Sequence, residues 1–219
     1  CIRDRNSETN QVTFQQVFAD DDDDEVEWSA ELRSSKLQNG VYGDDGSGLL
    51  HSEGIDDDVL ISVNTAGKAL GVAGAFVAGP AWLIDYLEQR ARPFVFSTAA
   101  PPALAAALEA SLDVITGEPE RRKCLLARVR FLRARLKQAG LPLPTDTSQI
   151  IPVIVGDNTA GVKLAQALQQ RGFDVRAIRP PSVPDTTARL RVSVNASLSE
   201  DDLDRFVDAL RECLRELGR

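Results

Sequence analysis

Hydrophobic positions change their spacing along the chain, and the changes predict alternating strands and helices from residue 57 onward. Apolar runs bounded by polar residues predict three short strands, over 58–63, 72–77 and 94–96. Helical spacing of apolar residues after prolines predicts two helices, over 81–92 and 101–115. The glycine-rich segment 64–71 is predicted to be the loop between the first two strands.

A second alternating series follows Pro119, which opens a long basic helix that Gly140 and Pro142 end. One face of this helix is apolar: Leu125, Val129, Leu132 and Leu136. Further strands are predicted over 149–155, 173–178 and 189–194, with a helix over 159–170.

The last predicted helix follows Ser197-Leu-Ser-Glu200, which has the spacing of a capping box. Its apolar positions are Leu203, Phe206, Val207, Leu210, Leu214 and Leu217. The whole series predicts an α/β chain whose two units divide near residues 117–122.

Charge is unevenly distributed. The chain has 219 residues and a net charge of -8, but residues 1–60 hold 4 basic and 16 acidic residues, a net charge of -12. The remainder therefore carries +4. The run from Asp20 to Asp24 lacks the interleaved glycine and closing glutamate of a calcium loop, so a solvated acidic segment is favoured.

Composition excludes several functional classes. A pI near 4.8 argues against general nucleic-acid binding, which needs a basic surface. The sequence contains no run of 18 apolar residues, so no membrane-spanning helix is predicted. The three cysteines form no CxxC pair or Cys/His cluster, so we predict reduced thiols in the cytoplasm and no metal site.

Lys68 is the strongest candidate for chemistry. It follows an apolar strand and is flanked by small residues that leave room for a flat ligand: Ala66, Gly67, Ala69 and Gly71. Partial burial of such a lysine would desolvate its amine and make it a nucleophile. A surface lysine is the alternative. A P-loop is excluded because the GxxxxGK pattern needs glycine at position 62, which is Ser62.

The segment from Asn64 to Gly79 resembles the cofactor-lysine segment of the α-oxoamine synthases, which are pyridoxal-phosphate enzymes of the aspartate-aminotransferase fold. Four further segments resemble the 8-amino-7-oxononanoate synthase family within that group: 94–102, 155–158, 177–184 and 188–196. The resemblance runs from about Val59 to the C terminus. It implies an α/β, fold type I transferase that is N-terminally truncated, with a partial large domain and a complete small α/β domain.

The resemblance also implies a division of the chain. Residues 1–56 would be an acidic, poorly matching segment of the large domain, and 57–120 would be its cofactor-lysine part. Residues 121–219 would be the small C-terminal α/β domain.

Roles for individual residues follow from the same resemblance. Lys68 would form the Schiff base with pyridoxal 5'-phosphate and move protons at the substrate α-carbon, and Thr65 would bind the phosphate. Ser97 and Thr98 match a segment that reaches the phosphate of the neighbouring subunit, which implies a homodimer.

On the substrate side, Ser182 matches a threonine that contacts the substrate. Arg179 is our candidate for the substrate carboxylate, since a planar guanidinium suits a carboxylate, and Arg189 and Arg191 are rivals. An exposed strand face explains the two rivals equally well.

One motif departs from the family pattern. The family carries Asp-Asp-Ala-His-Gly-Thr-Gly before the lysine, and this chain has Asp44-Asp45-Gly46-Ser47-Gly48. Asp44 would still pair with the pyridine nitrogen, but the histidine is missing and His51 is displaced.

The implied reaction is the condensation of L-alanine with pimeloyl-CoA, or its carrier-protein form, with loss of CO₂. Its product is the 8-amino-7-oxononanoate of biotin biosynthesis. Two alternatives stay open: a glycine C-acetyltransferase-like activity, and a catalytically inactive fragment that associates with itself or a full-length partner.

Overall fold

The computed structural model describes residues 11–15, 41–43, 46–52, 54, 60–145 and 148–218, with the side chains of 11–15, 50 and 51 excepted. The chain divides into two compact units, Cys1–Pro119 (unit 1) and Glu120–Arg219 (unit 2). No described helix is long and apolar enough to cross a membrane.

Unit 1 combines a small antiparallel sheet with helices. Its described strands are β1 (Gln11–Gln15), β2 (Ser62–Thr65) and β3 (Ala75–Gly79). Its described helices are α1 (Leu49–Ser52), α2 (Ala81–Arg90), α3 (Arg92–Val95) and α4 (Pro102–Gly117). β3 is central in the order β1-β3-β2, and Thr65 lies opposite Ala75 where β2 ends and β3 begins.

The helices predicted after Pro80 and Pro101 are confirmed as α2 and α4, but the strand limits differ from prediction. Asn64 and Thr65, predicted to be in the loop, continue β2. The second strand begins at Ala75 instead of residue 72, because the Val72 N–H bonds to the Ala66 carbonyl within the loop (3.1 Å).

The strand predicted over 94–96 is wrong. Residues Arg92–Val95 form the short helix α3, in which the N–H groups of Phe94 and Val95 both bond to the Ala91 carbonyl. Pro93 has the fixed φ that favours a first helical turn, and an apolar run of three residues is too short to reveal its period.

Unit 2 is an α/β sandwich with a larger core. Its strands are β4 (Ile150–Gly156), β5 (Arg176–Ile178) and β6 (Ala188–Ser193), paired antiparallel in the order β4-β6-β5. Its helices are α5 (Pro119–Gln138, beginning at the last residue of unit 1), α6 (Asn158–Gln170) and α7 (Glu200–Glu216). Leucines from three helices and β6 are fully buried at its centre: Leu132, Leu136, Leu164, Leu168, Leu190 and Leu210.

The pattern in unit 2 predicts most of this packing. Val129, Leu132 and Leu136 of α5 are buried, and β6 alternates buried Leu190 and Val192 with more exposed arginines. The strand predicted from residue 173 begins only at Arg176. The reason is that Phe173 bonds back to the Leu168 carbonyl at the end of α6 (3.0 Å) and so leaves the sheet.

The predicted cap of the last helix is wrong by two residues. Ser199, not Ser197, caps α7, and it exchanges hydrogen bonds with Asp202 in a capping box. Ser197 instead donates its hydroxyl to Asn195 Oδ1 (2.6 Å). A spacing of polar residues alone does not decide which serine enters the extended conformation that a cap requires.

Candidate active site around Lys68

Lys68 lies in the loop of residues 66–74 that joins β2 to β3. The Ala66 N–H donates to the Gly74 carbonyl (2.8 Å), and the Gly71 N–H donates to the Lys68 carbonyl (3.1 Å). Gly71 and Gly74 have φ of 65° and 100°, a region that side chains other than glycine rarely adopt. The loop therefore has a specified shape in which Lys68 begins a tight turn.

The lysine lies in a short exposed stretch between two buried residues. Ala66 is fully buried and Leu70 is 7% exposed, whereas Gly67, Lys68 and Ala69 are exposed. The two ends of this five-residue stretch pack inward and its centre projects outward, so Lys68 is carried on the tip.

Helix α4 packs against the loop. Ala66, Leu70 and Phe76 pack with buried Leu108 of this helix. Ser111, one turn further along α4, donates its hydroxyl to the Leu70 carbonyl (2.9 Å). Sequence reasoning missed Ser111, because nothing in the local pattern links a helical serine to a loop 41 residues earlier.

The surroundings of Lys68 have room for a flat group. A Cβ added at Gly71 would meet no heavy atom within 4 Å, and one at Gly67 would meet only the Val72 carbonyl at 3.9 Å. The residues present, an exposed primary amine and a nearby hydroxyl, fit a cofactor that bears an aldehyde and a phosphate. Lys68 itself is exposed, so unit 1 does not bury its amine.

Thr65 is exposed at the end of β2, three residues before Lys68. Its neighbour Asn64 points the opposite way and is 7% exposed, with Nδ2 donating to Ser62 Oγ (3.0 Å). The strand alternation therefore places the Thr65 hydroxyl on the open side, adjoining the loop that carries Lys68.

Ser97 and Thr98 follow α3 and are both exposed. The Ser97 N–H bonds to the Phe94 carbonyl (3.3 Å) and continues the end of that helix. Among the described residues, neither hydroxyl is hydrogen-bonded to the Lys68 loop. Asp44 lies outside the described residues, so its role at a pyridine nitrogen stays a prediction.

Arg179 and Ser182 of unit 2 are joined by a tight turn after β5. The Ser182 N–H donates to the Arg179 carbonyl (3.0 Å), and the Pro180–Pro181 bond within the turn is cis. Both residues are exposed, so the guanidinium and the hydroxyl are open to solvent in unit 2.

The two rival arginines lie on one face of β6 and differ in their bonds. Arg189 is held by Thr187, with Nε donating to its carbonyl and Nη2 to its Oγ1, both at 3.0 Å. Arg191 is exposed and has no hydrogen bond or ion pair to any described residue. The Arg189 guanidinium is thus already engaged, while that of Arg191 is open.

Metal-ligating side chains are not grouped in the part of the chain that the structure describes. Within it, no group of three His, Cys, Asp or Glu residues could hold a metal ion. The chemistry that the described residues can support is that of an amine, hydroxyls and guanidinium groups.

Comparison with known proteins places the chain in a family. The aminotransferase class I and II family matches residues 38–210. The chain is 46% identical over 175 residues to 8-amino-7-oxononanoate synthase from Anaeromyxobacter dehalogenans, covering 80% of this chain and 44% of that protein. The chain therefore spans about half the length of the curated relatives it matches.

Solved structures give the same result. Serine palmitoyltransferase from S. paucimobilis with bound PLP–myriocin aldimine superposes with a TM-score of 0.77 at 26% identity, covering 83% of this chain and 46% of that one. For 8-amino-7-oxononanoate synthase from Francisella tularensis the TM-score is 0.75 at 25% identity, covering 84% of this chain and 54% of that one. The predicted fold type I architecture is confirmed, and the chain belongs to the class I and II aminotransferase family.

Proposed function

We propose that this chain carries the cofactor lysine of a pyridoxal-phosphate-dependent C-acyltransferase. The proposed reaction condenses L-alanine with pimeloyl-CoA, or pimeloyl carrier protein, with loss of CO₂ to give 8-amino-7-oxononanoate for biotin biosynthesis in the cytoplasm. The observation that carries the proposal is the presentation of Lys68 on an anchored, glycine-shaped loop with open space beside it. The 46% identity to a synthase of that name supports the choice of reaction.

Lys68 would hold the cofactor covalently through its amine. Pyridoxal phosphate, when bound, supplies an electron sink for negative charge at the α-carbon of an amino acid. The Lys68 amine would then take and return the proton at that carbon, a role that suits an exposed amine on a short loop.

The cofactor phosphate requires donors. Thr65 would supply a hydroxyl from the same loop region, because it lies on the open side of β2. Ser97 and Thr98 would serve the phosphate of a second subunit in a homodimer, and their exposed hydroxyls are free to do so. Asp44 would pair with the pyridine nitrogen.

The substrate carboxylate requires a guanidinium. Arg179 is open to solvent and shares a turn with Ser182, which would contact the substrate through its hydroxyl. Arg189 is less suited, since two bonds to Thr187 already orient it. Arg191 is open and stays a rival to Arg179.

Cofactor capture at Lys68 tests the proposal directly. We expect the purified chain, incubated with pyridoxal phosphate and reduced with borohydride, to gain one cofactor on the tryptic peptide that contains Lys68. The variant Lys68→Ala should lose this adduct. Lys163→Ala removes an exposed lysine of α6 and should retain it.

Substrate choice is tested separately on the loaded chain. L-alanine with pimeloyl-CoA should release CO₂ in proportion to product, whereas glycine with acetyl-CoA should not react. Turnover of the second pair alone would replace the synthase by a glycine C-acetyltransferase-like activity.

A catalytically inactive module is the second candidate. It is favoured by the exposed aromatic residues of unit 1, Trp82, Tyr86 and Phe96. Such a module would associate with itself or with a full-length partner. Absence of any adduct at Lys68 at saturating cofactor, together with self-association of the purified chain, would favour this second candidate over the enzyme.

A further inference from the structure

The contact between helix α4 and the Lys68 loop gives Ser111 a role that the family resemblance did not assign. We propose that Ser111 is a positioning residue for Lys68, acting through the Leu70 carbonyl. The inference rests on the proposed function, because it concerns how the cofactor lysine is held.

The Ser111 hydroxyl has two acceptors. It lies 2.9 Å from the Leu70 carbonyl and 2.9 Å from the Ala107 carbonyl one turn earlier in α4. A hydroxyl has a single proton, so the bond to its own helix competes with the bond to the loop. The loop bond is the longer-range of the two and the one that connects different elements.

Leu70 transmits this constraint to Lys68 over two residues. The Gly71 N–H bonds to the Lys68 carbonyl (3.1 Å), so the turn from 68 to 71 is closed around Leu70. The Leu70 side chain is buried with Leu108, and the Leu70 carbonyl accepts the hydrogen bond from the Ser111 hydroxyl. With Ala66 fully buried as well, both ends of the segment that carries Lys68 are fixed on α4.

Fixing both ends limits the volume that the Lys68 amine explores. A group that is held near its target reacts faster, because its conformational entropy is already lost before the chemical step. Without the hydroxyl, the Leu70 carbonyl is left to water or to no partner. The loop then opens more often although its apolar contacts remain.

Amide hydrogen exchange of the full chain measures this opening without cofactor. One hydrogen bond contributes enough that Ser111→Ala should speed exchange of the Gly71 and Val72 amides by about two- to tenfold. Thr116→Ala is the matched control, because among the described residues the Thr116 hydroxyl of α4 bonds within its own helix, to the carbonyls of Leu112 and Asp113 (both 3.1 Å). Loop exchange in that variant should equal wild type.

A third variant separates the hydroxyl from the size of the side chain. Ser111→Thr keeps the hydroxyl and should preserve wild-type exchange in the loop. Equal acceleration in Ser111→Thr and Ser111→Ala, or none in Ser111→Ala, overturns the proposal.

Cofactor binding supplies the second readout. The affinity for pyridoxal phosphate, measured by borohydride trapping at Lys68, should fall in Ser111→Ala by up to the same factor and stay constant in Thr116→Ala. Faster exchange with unchanged affinity would make Ser111 a structural anchor only and overturn its positioning role. If the wild-type chain traps no cofactor, the proposed function fails, while the exchange comparison still decides whether Ser111 anchors the loop.

Discussion

At the residue scale, the start of α7 shows how one side chain selects a structure. Ser199 accepts a bond from the Asp202 N–H (3.0 Å), and the Asp202 carboxylate accepts from the Ser199 N–H (3.0 Å) and hydroxyl (2.6 Å). Two otherwise unpaired groups at the helix end are satisfied by one pair of residues. The three acidic residues of the first turn also suit the positive end of the helix dipole.

Removing the cap should therefore destabilise unit 2. We expect Ser199→Ala to lower the free energy of unfolding by about 1 kcal/mol, the usual cost of losing a serine cap. Ser197→Ala, which removes the serine predicted from sequence, should change it little. Urea titrations followed by circular dichroism measure both, and a larger effect at Ser197 would contradict the structural assignment.

Asp202 makes stability depend on pH at the acid end. The bonds from the Ser199 hydroxyl and N–H, with Arg205 beside it, lower the pKa of Asp202 from 3.8 to about 2. Because folding lowers this pKa, the carboxylate stabilises the fold fully above pH 3.8 and loses this effect as the pH falls through 2.

The variant Asp202→Ala should thus have a lower Tm than wild type at neutral pH. The difference should shrink between about pH 4 and pH 2, where wild-type Asp202 takes up its proton. Thermal unfolding of both proteins across this range measures it. A Tm difference that is independent of pH would show that the carboxylate charge does not contribute.

At the scale of elements, helix α5 stabilises unit 2 mainly by burying one apolar face. Val129, Leu132 and Leu136 are each 1% exposed or less and pack in the cluster that contains β4, β6 and α7 residues. Two arginines beside this face pair with acidic residues of α7, Arg128 with Glu200 (2.8 Å) and Arg135 with Asp204. These pairs are partly exposed and contribute little beside the buried face.

Truncation on the buried face should be costly. We expect Leu132→Ala to lower the stability of unit 2 by about 2–5 kcal/mol, because it leaves a cavity in a packed core. Lys137→Ala, on the exposed side of the same helix, should change it by less than about 0.5 kcal/mol. Amide exchange in α7 reports unit 2 specifically, and similar exchange in the two variants would contradict this packing.

At the scale of the whole molecule, the two units differ in how well they bury apolar surface. The described core of unit 1 is the small cluster around Ala66, Leu70, Phe76 and Leu108. Among the described residues, large apolar side chains are exposed mainly in this unit: Leu60, Val63, Trp82, Tyr86, Val95, Phe96 and Val114. Unit 2 contributes only Ile154 to that set. Three of these side chains are aromatic, and aromatic residues are enriched at interfaces with another protein.

We expect Phe96 to contribute to the homodimer that the family resemblance predicts. Phe96 is 78% exposed and directly precedes Ser97 and Thr98, so Phe96→Ser should raise the dissociation constant of self-association by about tenfold or more. Ile154→Ser removes a 41% exposed residue of unit 2 as a control and should leave it unchanged. Sedimentation over a range of concentrations decides, and equal effects of both variants would contradict the assignment.

Much of the fold could be predicted from the sequence where local signals agree. Prolines before α2 and α4 and at the first residue of α5, and the alternation along β6, specify those elements because backbone restriction and side-chain period act within a few residues. Segment 94–96 and the serine cap could not be predicted. In each, two local structures suit the residues equally, and neighbouring bonds decide between them.

In the candidate site, too, some features could be predicted from the sequence and others could not. The sequence by itself indicated Lys68 through its small neighbours and Thr65 through the family resemblance of the same segment. It also determined the family, since several separated segments resemble it in order. Only the tertiary structure decided that Lys68 is exposed on its loop, that Ser111 holds that loop and that Arg189 is engaged with Thr187. These properties depend on contacts between distant residues and on the direction of single hydrogen bonds, neither of which a local pattern of residue types contains.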